Sequence, residues 1–579
     1  MHKTQRLLLA LAAFVFATTL HAQANVTVEI SGIDKTLEGN VRLFLSIEQQ
    51  KDYASISEGR LRRLNKKAPQ EITRALQPFG YYRPVIKSKL TQVTPGNWLA
   101  SYTIDPGPPL PIGRFDFTIS GAMRNDPAFQ ALIQNLPLRK GDTFNHIEYE
   151  KFKTSLVKLA SERGYFNARF VVHRIEIDLD AYEARIELSY DGGTRYRFGK
   201  VLLNQDLLDP QLMQRYIPFD RGEPYTLDQM LDLQQALNDS DYFQSIDVTP
   251  DKPQLDSDEI PINVTLTPRK RHRFTFGLGY GTDTGARARF GWEMPRLNRK
   301  GHRVGTEAKV SEIGDSLTVH YRIPVFNPRT DQLVYSAGIV NETTDTSDSS
   351  IRTIGASLSH SRGDWRENLA LNYQQEDFVI AGESGDSTLL MPGVSWSRTW
   401  GKNFINVLDG LRFDISLRGA SEKLVSDTNF TQLQGGLKGI HSMNRSNRLI
   451  ARGNLGGIWT QDFDQLPASV RFFAGGSQSV RGYAYQSLGP VDENGNVVGG
   501  KYLMVGSIEY EHSLNSKWGA ALFYDAGNAI NNTTEKLERG AGFGIRWKSP
   551  VGPVRVDLAS ALSREGQPWR LHINIGPDL

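Results

Sequence analysis

The segments VRVDLA at positions 554–559 and RLHINI at positions 570–575 alternate apolar and polar residues. Successive side chains of a β-strand point to opposite faces, so each segment predicts a strand with one apolar and one polar face. Similar segments of about ten residues recur from about Arg269 onward. Turn signals such as Asn298-Arg299-Lys300-Gly301 separate them. One face would contact lipid and the other a wet lumen, which is typical of a transmembrane β-barrel.

The number of such segments predicts the size of the barrel. We count sixteen, from Phe274–Tyr280 to Trp569–Ile575, and an even number suits a bacterial barrel. Half-apolar strands are consistent with a mean hydropathy of −0.41. They are also consistent with the lack, after position 20, of the ~20 consecutive apolar residues that a membrane helix needs. A soluble β-sandwich or propeller is the alternative interpretation of this half.

The N-terminus predicts export. A short positive region at residues 2–6 precedes the apolar run Leu7–Leu20, and Ala22-Gln23-Ala24 has the pattern of a cleavage site. Residues 1–24 are therefore predicted to be a signal peptide. An uncleaved anchor helix is the alternative, but its apolar run would be short. The absence of cysteine fits an oxidising compartment, where stray thiols would mispair.

Residues 25–268 contain three related units at a spacing of about 80 residues. Each ends a helix-period segment on a turn followed by aromatic residues, at Phe79-Gly80-Tyr81-Tyr82, Arg163-Gly164-Tyr165-Phe166 and Ser240-Asp241-Tyr242-Phe243. Two alternating segments follow, so each unit predicts the order strand, helix, helix, strand, strand. We place the units at 25–107, 108–192 and 193–268, and the barrel at 269–579. Three unrelated small α+β units are the alternative.

One long segment between the barrel strands predicts a functional loop. It runs from about Gln461 to Gly500 and contains Val480-Arg481-Gly482-Tyr483. A loop of about forty residues is unusual in a compact barrel. On the next two strands, alternation places Glu509 and Asp525 on the polar face, which is the lumen face. This arrangement predicts that an ion pair with Arg481 holds the loop inside the barrel.

The motifs in this region resemble those of the outer-membrane protein insertase superfamily, in which periplasmic POTRA domains precede a BamA-like barrel. Val480-Arg481-Gly482-Tyr483 resembles the VRGF/Y signature of the sixth loop, which folds inward in that family. The family's loop is followed by conserved strand motifs, which are resembled here by Ser507–Tyr510, Phe523–Asn528 and Gly542–Pro553. The resemblance implies that Arg481 contacts Phe523 and Asp525, with Glu509 as a further partner.

The resemblance also implies the fold, the location and the function. The expected fold is α+β POTRA repeats followed by an all-β barrel of 16 antiparallel strands in the outer membrane, with the POTRA arm in the periplasm. The three-unit arm resembles that of the TamA-type members. Such members help to insert or translocate autotransporters and other barrel proteins. They work with an inner-membrane-anchored TamB-like partner that binds the POTRA domains, and they are linked to phospholipid transport to the outer membrane.

Barrel closure requires the first and last strands to pair. Gly277 and Gly279 weaken the first strand, and Gly576 and Pro577 end the last one, where proline has no N–H to donate. We therefore predict a short seam that opens. The resemblance implies that this seam is a lateral gate for client strands and that the lipid beside it is thinned. The alternative is an ordinary closed barrel with a frayed terminus.

Other functional classes find little support in the residues. No catalytic, metal-binding or cofactor-binding motif is present, so an enzyme is not expected. A net charge of +3 offers no basic field for nucleic acid. The remaining alternatives are a two-partner-secretion-type channel for one exported substrate and a non-specific porin, which the three-unit arm argues against.

Overall fold

The structure, a computed structural model, describes residues 25–51, 56–251, 257–401, 409–549 and 552–575. The predicted signal peptide and the predicted gate residues Gly576 and Pro577 lie outside these ranges. The described chain forms three small α+β repeats followed by a barrel. Within the described ranges, no helix has the length and apolarity required to cross a membrane.

Each repeat forms one three-stranded sheet with helices. The first contains β1 (Asn25–Ser31), α1 (Lys35–Phe44), α2 (Ser46–Gln49), α3 (Glu58–Leu76), β2 (Val85–Thr94) and β3 (Asn97–Asp105). The second contains β4 (Ile112–Ser120), α4 (Pro127–Gln134), α5 (His146–Glu162), β5 (Arg169–Asp178) and β6 (Glu183–Asp191). The third contains β7 (Arg197–Asn204), α6 (Pro210–Gln214), α7 (Leu227–Asp239), β8 (Phe243–Pro250) and β9 (Glu259–Pro268). The predicted element order is present in each, with the short helix α2 as an addition.

The last strand of each repeat lies in the middle of its sheet, in the orders β1-β3-β2, β4-β6-β5 and β7-β9-β8. In the first repeat, alternate residues of β3 are buried, and Trp98, Ala100 and Tyr102 pack in one core with Ile72 and Leu76 of α3. This strand therefore has one core-facing side, and the two strands beside it each leave one edge free of further strands within the sheet.

The turn after the second main helix has the same backbone conformation in all three repeats. Gly80 and Gly164 have φ values of +89° and +81°, in the left-handed region that glycine adopts without strain. Asp241 takes the same position in the third repeat, with φ of +63°. Aspartate is one of the few other residues enriched there, which explains how the motif continues without glycine.

A buried carboxylate joins two helices of the second repeat. Asp126 accepts hydrogen bonds from the backbone N–H of Ala128 at the start of α4 (3.0 Å), from Arg163 Nε (2.9 Å) and from the Tyr165 hydroxyl (3.1 Å). Burial opposes ionisation of Asp126, but the hydrogen bond and charge of Arg163 outweigh it and keep the pKa of this carboxyl below its usual value. The motif Arg163-Gly164-Tyr165 thus holds the start of α4.

Sixteen strands close an antiparallel barrel in the described part of the chain, which confirms the predicted fold class. They are β10 (Arg273–Gly281), β11 (Gly285–Met294), β12 (Arg303–Ser311), β13 (Gly314–Pro324), β14 (Gln332–Thr343), β15 (Ser347–Arg362), β16 (Trp365–Ile380), β17 (Glu383–Gly401), β18 (Gly410–Ala420), β19 (Phe430–Ser442), β20 (Asn447–Thr460), β21 (Tyr502–Ser513), β22 (Trp518–Ile530), β23 (Glu538–Ser549), β24 (Gly552–Ala561) and β25 (Trp569–Ile575).

Strand length varies strongly around the barrel. The two strands that close it, β10 and β25, have 9 and 7 residues. On the other side of the strand order, β15 and β16 have 16 residues each and β17 has 19. Because a strand rises about 3.3 Å per residue, the described part of the wall is lower at β10 and β25 than at β15 to β17.

The chain divides into two compact units. One holds the first two repeats with 219–231 and 250–262, and the other holds 202–218, 232–249 and the barrel. Some residues of the third repeat are therefore assigned to the first unit and the others to the second.

Candidate functional site: the lumen loop and the seam

The residues between β20 and β21, 461–501, form one loop, here called the lumen loop. Isolated bridges Phe472↔Gly500, Ala474↔Leu488 and Val491↔Val497 fold it back on itself. The apolar side chains of the loop form one buried cluster with inward-facing residues of the strands. From the loop, the cluster includes Leu466, Val470, Phe472, Val480, Tyr483 and Leu488. From the strands, it includes Leu389, Met391, Ile458, Leu503 and Val505. The loop therefore lies inside the barrel.

Arg481 binds the barrel wall from the tip of this loop. Its side chain donates two hydrogen bonds to Asp525, from Nε at 2.7 Å and from Nη2 at 2.9 Å, and its backbone N–H donates a third at 3.0 Å. Nη1 donates to Glu509 Oε2 at 2.6 Å. The guanidinium carbon lies 3.4 Å from the ring centroid of Phe523. Arg481 is 2% exposed and Asp525 is 0% exposed, so the ion pair is shielded from bulk solvent.

The strand register brings these partners together. Alternate residues of β21 and β22 are buried, and Glu509, Phe523 and Asp525 lie on the buried side. Glu509 is the cross-strand partner of Phe523, and Ser507 is that of Asp525. Two adjacent inward positions on each strand therefore surround the guanidinium, where a planar cation meets two carboxylates and one ring face.

The other three motif residues shape the backbone around Arg481. Val480 is fully buried in the apolar cluster. Gly482 has φ of +97°, and a Cβ there would lie 3.0 Å from backbone atoms of Ser560 on β24. The Tyr483 hydroxyl donates to Glu538 Oε2 at 2.8 Å. Glycine is thus required at position 482 both by backbone conformation and by space.

Sequence reasoning missed a second arginine in this network. Arg546 on β23 bonds Glu509 at 2.7 Å, Glu511 at 3.1 Å and Asp557 on β24 at 2.5 Å. Glu509 therefore receives one arginine on each oxygen. The signal that could have found Arg546 and Asp557 is the same alternation, because both occupy inward positions of alternating strands.

Gly540 was also missed. A Cβ at this position of β23 would lie 1.9 Å from the carbonyl oxygen of Arg481. A glycine in the wall therefore lets the loop backbone approach, a requirement that strand periodicity does not reveal.

The base of the lumen loop is held at a different part of the wall. Ser469 donates its backbone N–H to Glu376 Oε1 on β16 at 3.2 Å, and its hydroxyl also bonds Glu376. Gln432 on β19 donates to the carbonyl of Val470 at 2.7 Å, and Arg418 on β18 donates to that of Ser469 at 3.2 Å. The loop thus contacts the wall at β16–β19 through its base and at β21–β24 through its tip.

The seam is the contact between β10 and β25. Among the described residues, the two strands share two register pairs, Tyr280↔Ile575 and Gly281↔Asn574, whereas β10 and β11 share nine and β24 and β25 share seven. Gly279 leaves space for the side chain of Arg287, which crosses to the carbonyl of Ile575 at 3.3 Å. Among the described residues, a Cβ at Gly277 would meet only the Cβ of Arg289, at 3.7 Å. Both glycines lie on β10 just before Tyr280 and Gly281, the two residues that pair with β25.

The closed sixteen-strand barrel, the periplasmic type of α+β repeat and the inward loop define an outer-membrane protein with a POTRA arm in the periplasm. The chain belongs to the Omp85 superfamily: residues 270–578 match the model of the Omp85 superfamily domain. Residues 27–106 match the model described as POTRA domain, TamA domain 1.

Curated relatives point to the same superfamily. The chain is 23% identical over 474 residues to the outer membrane protein assembly factor BamA of Neorickettsia risticii, covering 74% of this chain and 61% of that protein. It is 29% identical over 140 residues to the BamA of Nitratidesulfovibrio vulgaris, covering 23% of this chain and 18% of that protein. The chain thus spans less than two thirds of the length of these relatives.

A solved structure shares the fold. The crystal structure of BamA from Haemophilus ducreyi lacking POTRA domains 1–3 superimposes with a TM-score of 0.68 at 16% sequence identity. The match covers 80% of this chain and 99% of that one.

Proposed function

We propose that this protein is an assembly factor that inserts or translocates autotransporters and other β-barrel proteins at its seam. The observation that carries the proposal is the pairing of β10: two of its nine residues pair with β25 among the described residues. If β10 separates from β25, its backbone N–H and C=O groups become a template for an incoming strand. The outward side chains Phe276 and Leu278 beside this edge are 77% and 88% exposed, which suits contact with lipid or with an apolar client.

The low wall at the seam supports the same function. The described parts of β10 and β25 have 9 and 7 residues, against 16 in β15 and 19 in β17, and we propose that the apolar band is also shorter at the seam. A bilayer that meets a shorter apolar surface thins locally, at a modest cost per ångström. Thinner lipid lowers the barrier for a new strand to enter beside the seam.

A two-partner-secretion-type channel for a single substrate is the alternative, and channel recordings separate the two. The lumen loop fills the barrel with a buried cluster and is bonded to the wall at both its base and its tip. We therefore expect the purified protein in planar bilayers to show small, flickering conductance. A large and steady pore in most insertions would favour the secretion channel and contradict the proposal.

The partner is proposed to be a TamB-like protein that spans the periplasm and docks on the first repeat, with phospholipid transport as a linked activity. The match of residues 27–106 to the first POTRA domain of TamA supports this choice. Strand β2 lies at the edge of its sheet and exposes Val85 and Val93, as an added partner strand would require.

Removal of 25–107 is expected to abolish co-purification of the TamB-like partner while the barrel remains folded. The measurement is affinity purification from envelope of the full chain and of the deleted chain, with heat-modifiable migration as the folding control. Equal recovery of the partner by both chains would contradict docking on the first repeat.

A further inference from the structure

One loop contacts both sides of the seam through its backbone. The N–H of Ser477 donates to Asp283 Oδ2 at 2.6 Å, and Asp283 lies in the turn that follows β10. The N–H of Gly482 donates to His572 Nε2 at 3.0 Å, and His572 lies on β25. The segment that carries Arg481 is therefore bonded to the residues that flank the barrel closure, five positions apart along the loop.

The two side chains also face each other across the seam. Because His572 Nε2 accepts a hydrogen bond, the proton of the neutral ring is on Nδ1. Nδ1 lies 3.8 Å from Asp283 Oδ1, and neither atom has a hydrogen-bond partner among the described residues. Both side chains are buried, at 1% and 8% exposure. The contacts thus run from the loop to His572, and from Asp283 back to the loop. The gap between His572 Nδ1 and Asp283 Oδ1 would close to a hydrogen bond after a small movement.

Among the described residues, few backbone hydrogen bonds hold this end of the seam, where the side chain of Arg287 also donates to Asn574 and to the carbonyl of Ile575. Besides the two register pairs, Thr282 donates its N–H to the carbonyl of Ile573 at 3.0 Å, and the N–H of Ile573 donates to the Thr282 hydroxyl at 3.2 Å. Against so few backbone bonds, two buried hydrogen bonds to one loop are a substantial share of the total.

We propose that His572 and Asp283 are positioning residues that bind the tip of the lumen loop to both sides of the seam, so that the seam opens only when the loop tip moves. The coupling explains why a loop held by Arg481 inside the lumen would control a gate in the wall. The inference rests on the proposed function for its biological role, but the coupling itself concerns the protein without client.

Substitutions of His572 separate its two contacts. In His572→Gln the side-chain oxygen can still accept from Gly482, and in His572→Asn the amide N–H can still point to Asp283. His572→Phe fills the space and removes both contacts. The matched control is His360→Phe. His360 lies on β15, away from the seam in the strand order, and its Nδ1 lies 2.9 Å from Asp331 Oδ2.

Distances across the seam provide the first readout. The chain has no cysteine, so spin labels at Phe276→Cys and Leu571→Cys on the lipid-facing sides of β10 and β25 are unambiguous. We expect the population with a longer distance to rise about two- to tenfold in each conservative variant. The rise should be larger in His572→Phe and absent in His360→Phe.

Single-channel flicker of the same proteins, without labels, reports on the loop. We expect the frequency of brief openings to rise in the same order as the seam distances, since one set of contacts would govern both. Unchanged distances in His572→Phe would overturn the proposal, and so would altered distances with unchanged flicker. Because no client is present, either outcome leaves the insertase proposal to be decided by client assembly.

Discussion

Replacing Arg481 by alanine is expected to release the tip of the lumen loop and to lower the free energy of unfolding by about 3–5 kcal/mol. The change removes two side-chain hydrogen bonds from Asp525 and one from Glu509, and it leaves Asp525 buried without its cation. Loss of one partner of a buried ion pair is costly because the remaining charge is neither hydrated nor paired. Urea unfolding in detergent micelles measures the stability, and planar-bilayer conductance measures the loop.

Two substitutions control for charge and for general effects. Arg481→Lys retains the charge but loses the bidentate geometry. Its free energy of unfolding should therefore lie between those of the wild type and of Arg481→Ala. Arg412 on β18 lies near Asp414 and is exposed, and Arg412→Ala should change neither stability nor conductance measurably. If Arg481→Ala unfolds like wild type and conducts like wild type, then Arg481 does not hold the loop.

The base of the loop limits how far the released tip can move. Glu376 and Gln432 bond Ser469 and Val470 independently of Arg481. The single variant Arg481→Ala should therefore increase flicker without producing a steady open pore. Adding Glu376→Ala should lengthen the openings, because the base of the loop then keeps only its bonds to Gln432 and Arg418.

The sequence predicted the barrel part of this site well because strand periodicity is a local signal. A side chain on a strand faces inward or outward according to its parity, so Glu509 and Asp525 could be assigned to the lumen before any contact was known. Their meeting with Arg481 is present in the structure. The same parity would have placed Arg546, Asp557 and His572, but without the register their proximity to the loop was not evident.

The path of the lumen loop could not be derived in the same way. A loop without periodicity has no parity, so the contacts of Ser469 with Glu376 and of Ser477 with Asp283 depend on how forty residues cross the lumen. The seam shows a related limit. Glycines in β10 indicated a weak strand, but the two register pairs with β25 depend on closure of the whole barrel.

A disulfide across the seam is expected to abolish assembly of client barrels, the largest functional effect that the structure predicts. Gly281 and Asn574 are register partners of β10 and β25, and a Cβ at Gly281 meets only the Thr284 hydroxyl at 3.1 Å and the carbonyl of Ile573 at 3.8 Å. Directly opposite residues of an antiparallel pair have Cβ atoms about 4.5–5.5 Å apart, within reach of a disulfide after small adjustment. The double variant Gly281→Cys/Asn574→Cys is therefore suitable for crosslinking, with assembly of an autotransporter barrel as the readout.

The oxidised and reduced forms of this variant differ only in the crosslink, so they separate gate closure from the substitutions themselves. Gly453→Cys/Gly506→Cys provides a second control, since these register partners of β20 and β21 lie away from the seam and have room for a side chain. Crosslinking there should leave assembly intact, because β20 and β21 do not separate in the proposed mechanism. If the efficiently crosslinked protein assembles clients as well as the same variant does after reduction of the disulfide, clients do not pass between β10 and β25. The short seam would then have another cause.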